Sequence, residues 1–206
     1  MSDANKDFSE FGKKALILAI LYLIAFILAL IGWANRWVSY ASLVVLIVIL
    51  VFLIIAVGSI GKAGSKLNNE DLRSFRTRII VAAILVTLGL ILATVGYSVI
   101  MFTVQTDEPG SSAAIVNYII FGILLLIGII LLIIGAIFEL LAWTDMKGFF
   151  RDNLSMFPED VGKSAQTGSL LCMIGAILTL TFVLAPFGYL LRAIGYFMLM
   201  KLKDLE

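Results

Sequence analysis

One six-residue phrase occurs three times in the chain: Leu28-Ala29-Leu30-Ile31-Gly32-Trp33, Leu92-Ala93-Thr94-Val95-Gly96-Tyr97 and Leu184-Ala185-Pro186-Phe187-Gly188-Tyr189. Each copy has the form Leu-Ala-x-x-Gly-aromatic, and each lies at the end of a long apolar run. The upstream sequence repeats as well, with Ala19-Ile20-Leu21 against Ala83-Ile84-Leu85 and, one residue closer, Ala176-Ile177-Leu178. This pattern predicts an all-α integral membrane protein: a six-helix transmembrane bundle built as three repeated helical hairpins.

Composition points the same way. The 206 residues are 62% hydrophobic and 14% charged, with a mean hydropathy of +1.10. A soluble domain carries about 25% charged residues. Crossing a hydrocarbon core takes roughly 20 apolar residues as helix. Residues 15–33, 38–60, 79–104 and 115–143 each meet that length. Residues 167–202 are long for one span and short for two, which leaves five spans as the alternative. Pro186 and Gly188 sit near the middle of that region, where a turn is expected. The hairpins are then approximately 15–60, 79–143 and 167–203, all in a single transmembrane domain covering 1–206. Segments 61–78 and 144–166 are the cytoplasmic connectors. The first run follows a mixed-charge segment without a small-x-small cleavage site, and is read as a retained helix.

Charge favours six spans. Thirteen of the fifteen Lys and Arg residues fall on one side of a six-span chain, leaving Arg36 opposite and Arg192 within a span. Basic residues collect on the cytoplasmic side of short loops, so both termini are expected in the cytoplasm of a cell whose plasma membrane holds the protein. Trp33, Trp37, Tyr40, Tyr97, Tyr118 and Tyr189 would form an outer aromatic belt, and Trp143 would mark the inner boundary. Asn68 or Asn69 is positioned to cap a third helix whose Leu72, Phe75 and Ile79 share one face. Met146, Phe149, Phe150 and Leu154 form an amphipathic face expected to lie along the inner interface.

Little in the chain carries chemistry. It has no histidine, which excludes His-based nucleophile systems and His-ligated metals. Cys172, the one cysteine, is read as a buried small residue. Phosphate-binding loops, metal-ligand spacings and clustered acids are absent from the sequence. No catalytic, cofactor-binding or metal-binding residue is expected, and no enzymatic activity. Two ionisable residues fall inside apolar runs, where charge is costly and marks candidate sites: Glu139 and Arg192. Glu139 is expected to reach the cytoplasmic surface or pair with Arg78 or Lys147. Arg192 is expected to snorkel outward or to contact a lipid phosphate. Small residues at seven- and four-residue spacings mark helix-packing faces. The candidates are Gly32, Gly89, Gly96, Gly128, Gly135, Gly168 and Gly188.

The ending Pro186-Phe187-Gly188-Tyr189-Leu190-Leu191-Arg192-Ala193-Ile194-Gly195-Tyr196-Phe197, followed by Lys201-Leu202-Lys203, resembles the last hairpin of uncharacterised multi-pass membrane proteins common in archaea. Those proteins close with a Pro-x-x-Gly corner, an Ile-Gly-aromatic step and a short basic tail. The resemblance implies a multi-pass fold and brings no activity or site residue with it. Of three functional classes, a membrane-embedded enzyme is disfavoured by the absence of histidine and of clustered acids, and two others remain. One is a non-enzymatic structural, assembly or lipid-interacting bundle. The other is a small-solute or ion transporter or channel, whose polar path would draw on Thr87, Thr94, Ser98, Thr179, Thr181, Glu139 or Arg192. The expected partners are membrane lipids, a second copy of the chain or another membrane protein. Nucleic acid is not among them.

Overall fold

The computed structural model describes residues 2–32, 36–106, 111–181 and 184–205. Six α-helices follow in order: α1 (Ser2–Gly32), α2 (Arg36–Lys66), α3 (Glu70–Thr106), α4 (Ser112–Asp152), α5 (Glu159–Leu180) and α6 (Ala185–Leu199). Short 3-10 segments lie at Leu154–Met156 and Met200–Leu205, and no strand occurs among the described residues. The first five helices are long and apolar enough to cross a membrane, so the chain is a helical membrane protein. At 15 residues α6 extends about 22 Å. It still returns to the starting end of the bundle, because Ser9 Oγ donates to the Lys203 carbonyl at 3.0 Å.

Each helix packs on its neighbours in sequence, and α6 packs on α1. The six helices therefore close a ring in chain order. Two adjacent asparagines make the sharpest corner. Asn68 takes a left-handed conformation (φ 49°), which ends α2 and brings Asn69 N–H onto the Gly64 carbonyl. Asn69 Oδ1 then accepts the Leu72 N–H at 3.1 Å and starts α3. Leu72, Phe75 and Ile79, which share one face of α3, are all buried.

The basic end is packed like a soluble core. Phe8 stacks on Phe149 at 5.8 Å and meets Phe157 edge-on at 5.3 Å. Phe150, Phe11 and Met146 fill the space around them. The expectation of an interfacial segment after residue 143 is corrected here. α4 runs unbroken to Asp152, and Met146, Phe149 and Phe150 turn into this core. Ala4, Phe8 and Phe11 in the mixed-charge start of α1 supply the matching surface, so burial inside the bundle replaces burial in headgroups. Trp143 is likewise a core residue. It lies 1% exposed between Phe75 and Tyr196, at 5.2 and 5.6 Å, instead of marking a boundary. Trp33 and the side chains of Trp37 and Tyr40, with most of the polar 105–114 loop, lie outside the described residues.

The turn expected at Pro186–Gly188 is displaced. α5 ends at Leu180, and Pro186 sits in the first turn of α6. Proline suits that position because the amide there needs no helical partner. Thr181 Oγ1 donates to the Leu178 carbonyl and accepts from Leu184 N–H, which closes the chain ends at the corner. The third Leu-Ala-x-x-Gly phrase therefore opens a helix. The first ends α1, and the second lies within α3.

Glycines set the helix spacing. A Cβ added to Gly89 would stand 2.7 Å from the Gly128 carbonyl oxygen, one on Gly96 would stand 2.7 Å from that of Phe121, and one on Gly135 would meet Val86 and Ala82. Ala82, Gly89 and Gly96 thus face Gly135, Gly128 and Phe121 in a single antiparallel register. The seven-residue spacing keeps that seam continuous. α5 and α6 use the same device: Gly168 faces Gly195 and Gly175 faces Gly188. Gly32 closes α1, and what surrounds it lies outside the described residues. Gly128→Ala forces a methyl to 2.6 Å from Ala93 N and is expected to cost about 1–3 kcal/mol. Gly122 has open space around its Cβ position, so Gly122→Ala is expected to be neutral or stabilising. Thermal unfolding of both variants in detergent micelles measures the difference.

Candidate functional site

The two ionisable residues singled out in the apolar runs meet each other. Arg192 Nη2 on α6 donates to Glu139 Oε2 on α4 at 2.6 Å, across 53 positions of sequence. The side chains are 6% and 11% exposed. The same nitrogen donates to Thr179 Oγ1 on α5 at 3.1 Å, and that hydroxyl donates onward to the Ala176 carbonyl. Arg192 neither snorkels nor faces a lipid phosphate. Glu139 does not take Arg78, which instead binds both oxygens of Asp145 at 2.7 Å.

The geometry of the ring explains the pairing. Glu139 lies six residues before Asp145 on α4, about 9 Å inward from that charged layer. Tyr22 lies eight residues past Lys14 on α1, about 12 Å inward. At that depth neither charge reaches water. Each would cost several kcal/mol if left alone. The ring closes α6 onto α1 and brings both faces to one interior, where each charge finds the other.

Aromatic rings hold the guanidinium from below. The Arg192 guanidinium carbon lies 5.7 Å from the Tyr22 ring centre, within cation–π range. Tyr22 stacks on Tyr196 at 5.5 Å, Tyr196 meets Trp143, and Trp143 meets Phe75. This ladder fills the interior between the ion pair and the phenylalanine core. Cys172 is buried beside it, with Sγ 3.9 Å from the Arg192 carbonyl.

Above the pair the interior is open. A cleft of about 140 Å³, open at its mouth, is lined by residues from all six helices. Leu46, Leu50 and Leu53 of α2, Ala83 and Val86 of α3, and Leu132 of α4 make its walls. Glu139, Arg192, Thr179 and Thr87, with Tyr22 and Tyr189, make its polar part. Tyr189 therefore belongs to the cleft and to the Tyr22 ring, 6.4 Å away, and not to an outer belt. Thr94, Ser98 and Thr181 are not among the lining residues. Sequence reasoning found both charges and Thr179, but missed Tyr22 as the ring beneath the guanidinium. Tyr22 sits mid-run in α1, an unusual depth for tyrosine, and that was the available signal. No group of three or more potential metal-ligating side chains occurs among the described residues.

Breaking the pair from one side is expected to be far worse than removing it. Arg192→Leu or Glu139→Leu alone should cost about 3–5 kcal/mol. The double variant should cost less than the sum of the two, as a double-mutant cycle on thermal unfolding will show. Arg192→Lys should also lose stability. An ammonium cannot keep the planar contact with Tyr22 while reaching both Glu139 and Thr179.

No family model, no curated protein and no solved structure matches this chain.

Proposed function

We propose that this protein is a non-enzymatic membrane bundle that holds a lipid-like molecule inside its helix ring. The observation that carries this reading is the cleft itself. Its walls are mainly apolar side chains of α2 to α6, and its two charged groups are joined with Thr179 in one cluster. Ligand sites characteristically combine a largely apolar lining with a small number of placed polar groups. A molecule with an apolar tail and a polar head matches that division. The exposed apolar faces of α1 to α4, such as Ile27, Val51 and Ile130, are the lipid-facing surface through which such a molecule arrives.

The competing reading is a transporter for small solutes or ions. Thr87, Thr179, Glu139 and Arg192 share the cleft, which favours it. Against it stands the aromatic ladder from Tyr22 to Phe75, which fills the interior below the pair. The distribution of basic residues at one end supports an orientation with both termini in the cytoplasm, in the plasma membrane.

Native mass spectrometry of the full chain, released from membranes in a gentle detergent, tests the proposal. The expected result is a reproducible adduct of lipid-like mass. Ala83→Phe, which places a ring in the cleft, should remove that adduct without altering the unfolding midpoint by more than a few degrees. A bare wild-type protein, or an adduct unaffected by Ala83→Phe, would count against the cleft as a ligand site.

A further inference from the structure

We propose that the cleft selects an amphiphile whose head is neutral and accepts hydrogen bonds, such as a long-chain alcohol, carbonyl or ester, over one that carries charge. This rests on the reading of the cleft as a ligand site and names the ligand's chemical class.

The argument begins with the donors. A guanidinium has five N–H donors. Among the described residues, both hydrogen bonds of Arg192 leave from Nη2, and the covered Nε has no acceptor. The residue is 5% exposed and lines the cleft. Nη1 likewise has no acceptor among the described residues and, unlike Nε, is not fully covered, so its donors are the ones an arriving acceptor can satisfy. The protein leaves a demand for an acceptor at this end of the cleft.

Charge then decides which acceptor. Arg192 alone would favour a carboxylate or a phosphate, as guanidinium groups do. Glu139 already occupies that role at 2.6 Å and cancels the positive charge. An anionic head would meet the Glu139 carboxylate at the same wall, and a cationic head would meet Arg192. Apart from the hydroxyls of Thr87, Tyr22 and Tyr189, the remaining walls are leucine, isoleucine, valine and alanine, which solvate neither ion. A hydroxyl or carbonyl oxygen accepts from the guanidinium and brings no charge to be compensated. Thr179 Oγ1 already accepts from Nη2 in this manner, as a neutral oxygen within the same polar group.

The experiment uses one tail with three heads. Oleyl alcohol, oleate and oleylamine are titrated onto the delipidated full chain in a neutral detergent, with binding read by native mass spectrometry. Ala83→Phe provides the baseline for adsorption outside the cleft. The alcohol is expected to bind at least about tenfold more tightly than either ion, a difference readily resolved as a shift in Kd. In Glu139→Gln the cancelling charge is gone, and oleate is expected to gain about tenfold or more relative to the alcohol. Oleate or oleylamine binding as well as the alcohol in the wild type overturns the proposal. So does an unchanged preference in Glu139→Gln. If that variant does not fold, the wild-type ranking alone decides. Saturable binding without preference removes the head-group claim and leaves the cleft as a ligand site, whereas no saturable binding by any of the three removes both.

Discussion

The Glu139–Arg192 ion pair is the constraint on which the rest of the interior depends. Two charges have left water, and each is tolerable only because the other is within 2.6 Å. That requirement fixes the position of α4 relative to α6, which both pack on α5. It also fixes the register of α5, since Thr179 takes the second hydrogen bond of the same nitrogen. Tyr22 completes the support from α1. Helices from three parts of the chain are thus referenced to one guanidinium. Apolar packing in lipid lacks such a reference, because a leucine face slides against a lipid tail about as well as against another leucine.

Close packing provides the second constraint, by a different mechanism. At Gly89–Gly128, Gly168–Gly195 and Gly175–Gly188 the hydrogen a glycine carries in place of Cβ points at a backbone carbonyl oxygen. Such contacts are individually weak, about 0.5–1 kcal/mol. They recur, and they bring whole backbones together, so dispersion accumulates along the seam. α3 and α4 use this seam to extend well beyond the others. From Glu139, α4 continues for about 40 Å to Ser112, while α6 continues only about 10 Å from Arg192 to Ala185. The far part of the α3–α4 hairpin has its own partner helix and little else, which accounts for the exposure of Val95, Phe102, Ile119 and Ile123. The opposite end relies on ordinary hydrophobic burial around Phe8, Phe149 and Phe157, jacketed by ion pairs such as Lys66–Asp7 and Arg78–Asp145.

Much of this was legible in the sequence, for reasons specific to each element. Long apolar runs are sufficient for helices in lipid, because no other local structure satisfies the backbone there. The Asn69 cap and the Leu72–Phe75–Ile79 face are local signals, and local signals transfer directly. The small-residue spacing on α3 gave the packing face, because a glycine stripe has few other uses in a membrane helix. What failed was non-local. Glu139 and Arg192 were each visible as anomalies, but their pairing depends on the ring closing α6 back onto α1. Each was therefore assigned the nearest available compensation, an interface or a surface partner. Trp143 was read as a boundary residue because tryptophan favours interfaces. The continuation of α4 past it moved it into the core. Pro186 was read as a turn when it begins a helix, since proline's missing amide fits both positions.

The same interior geometry bears on what can occupy the ring. A lone arginine in a membrane cavity attracts anions and a lone glutamate attracts cations, and either can define a transport path. Paired at hydrogen-bond distance, they present a dipole, and a dipole in an apolar cleft orients a neutral polar group without trapping an ion. The aromatic ladder beneath adds to this, because continuing past the pair requires displacing Tyr22, Tyr196 and Trp143 in succession. A flexible apolar tail needs no such passage. It has only to fill the space between the α2, α3 and α4 walls while its head remains at the pair. The fold thus supplies an anchored end and an adaptable wall, the two features on which the proposed amphiphile site rests.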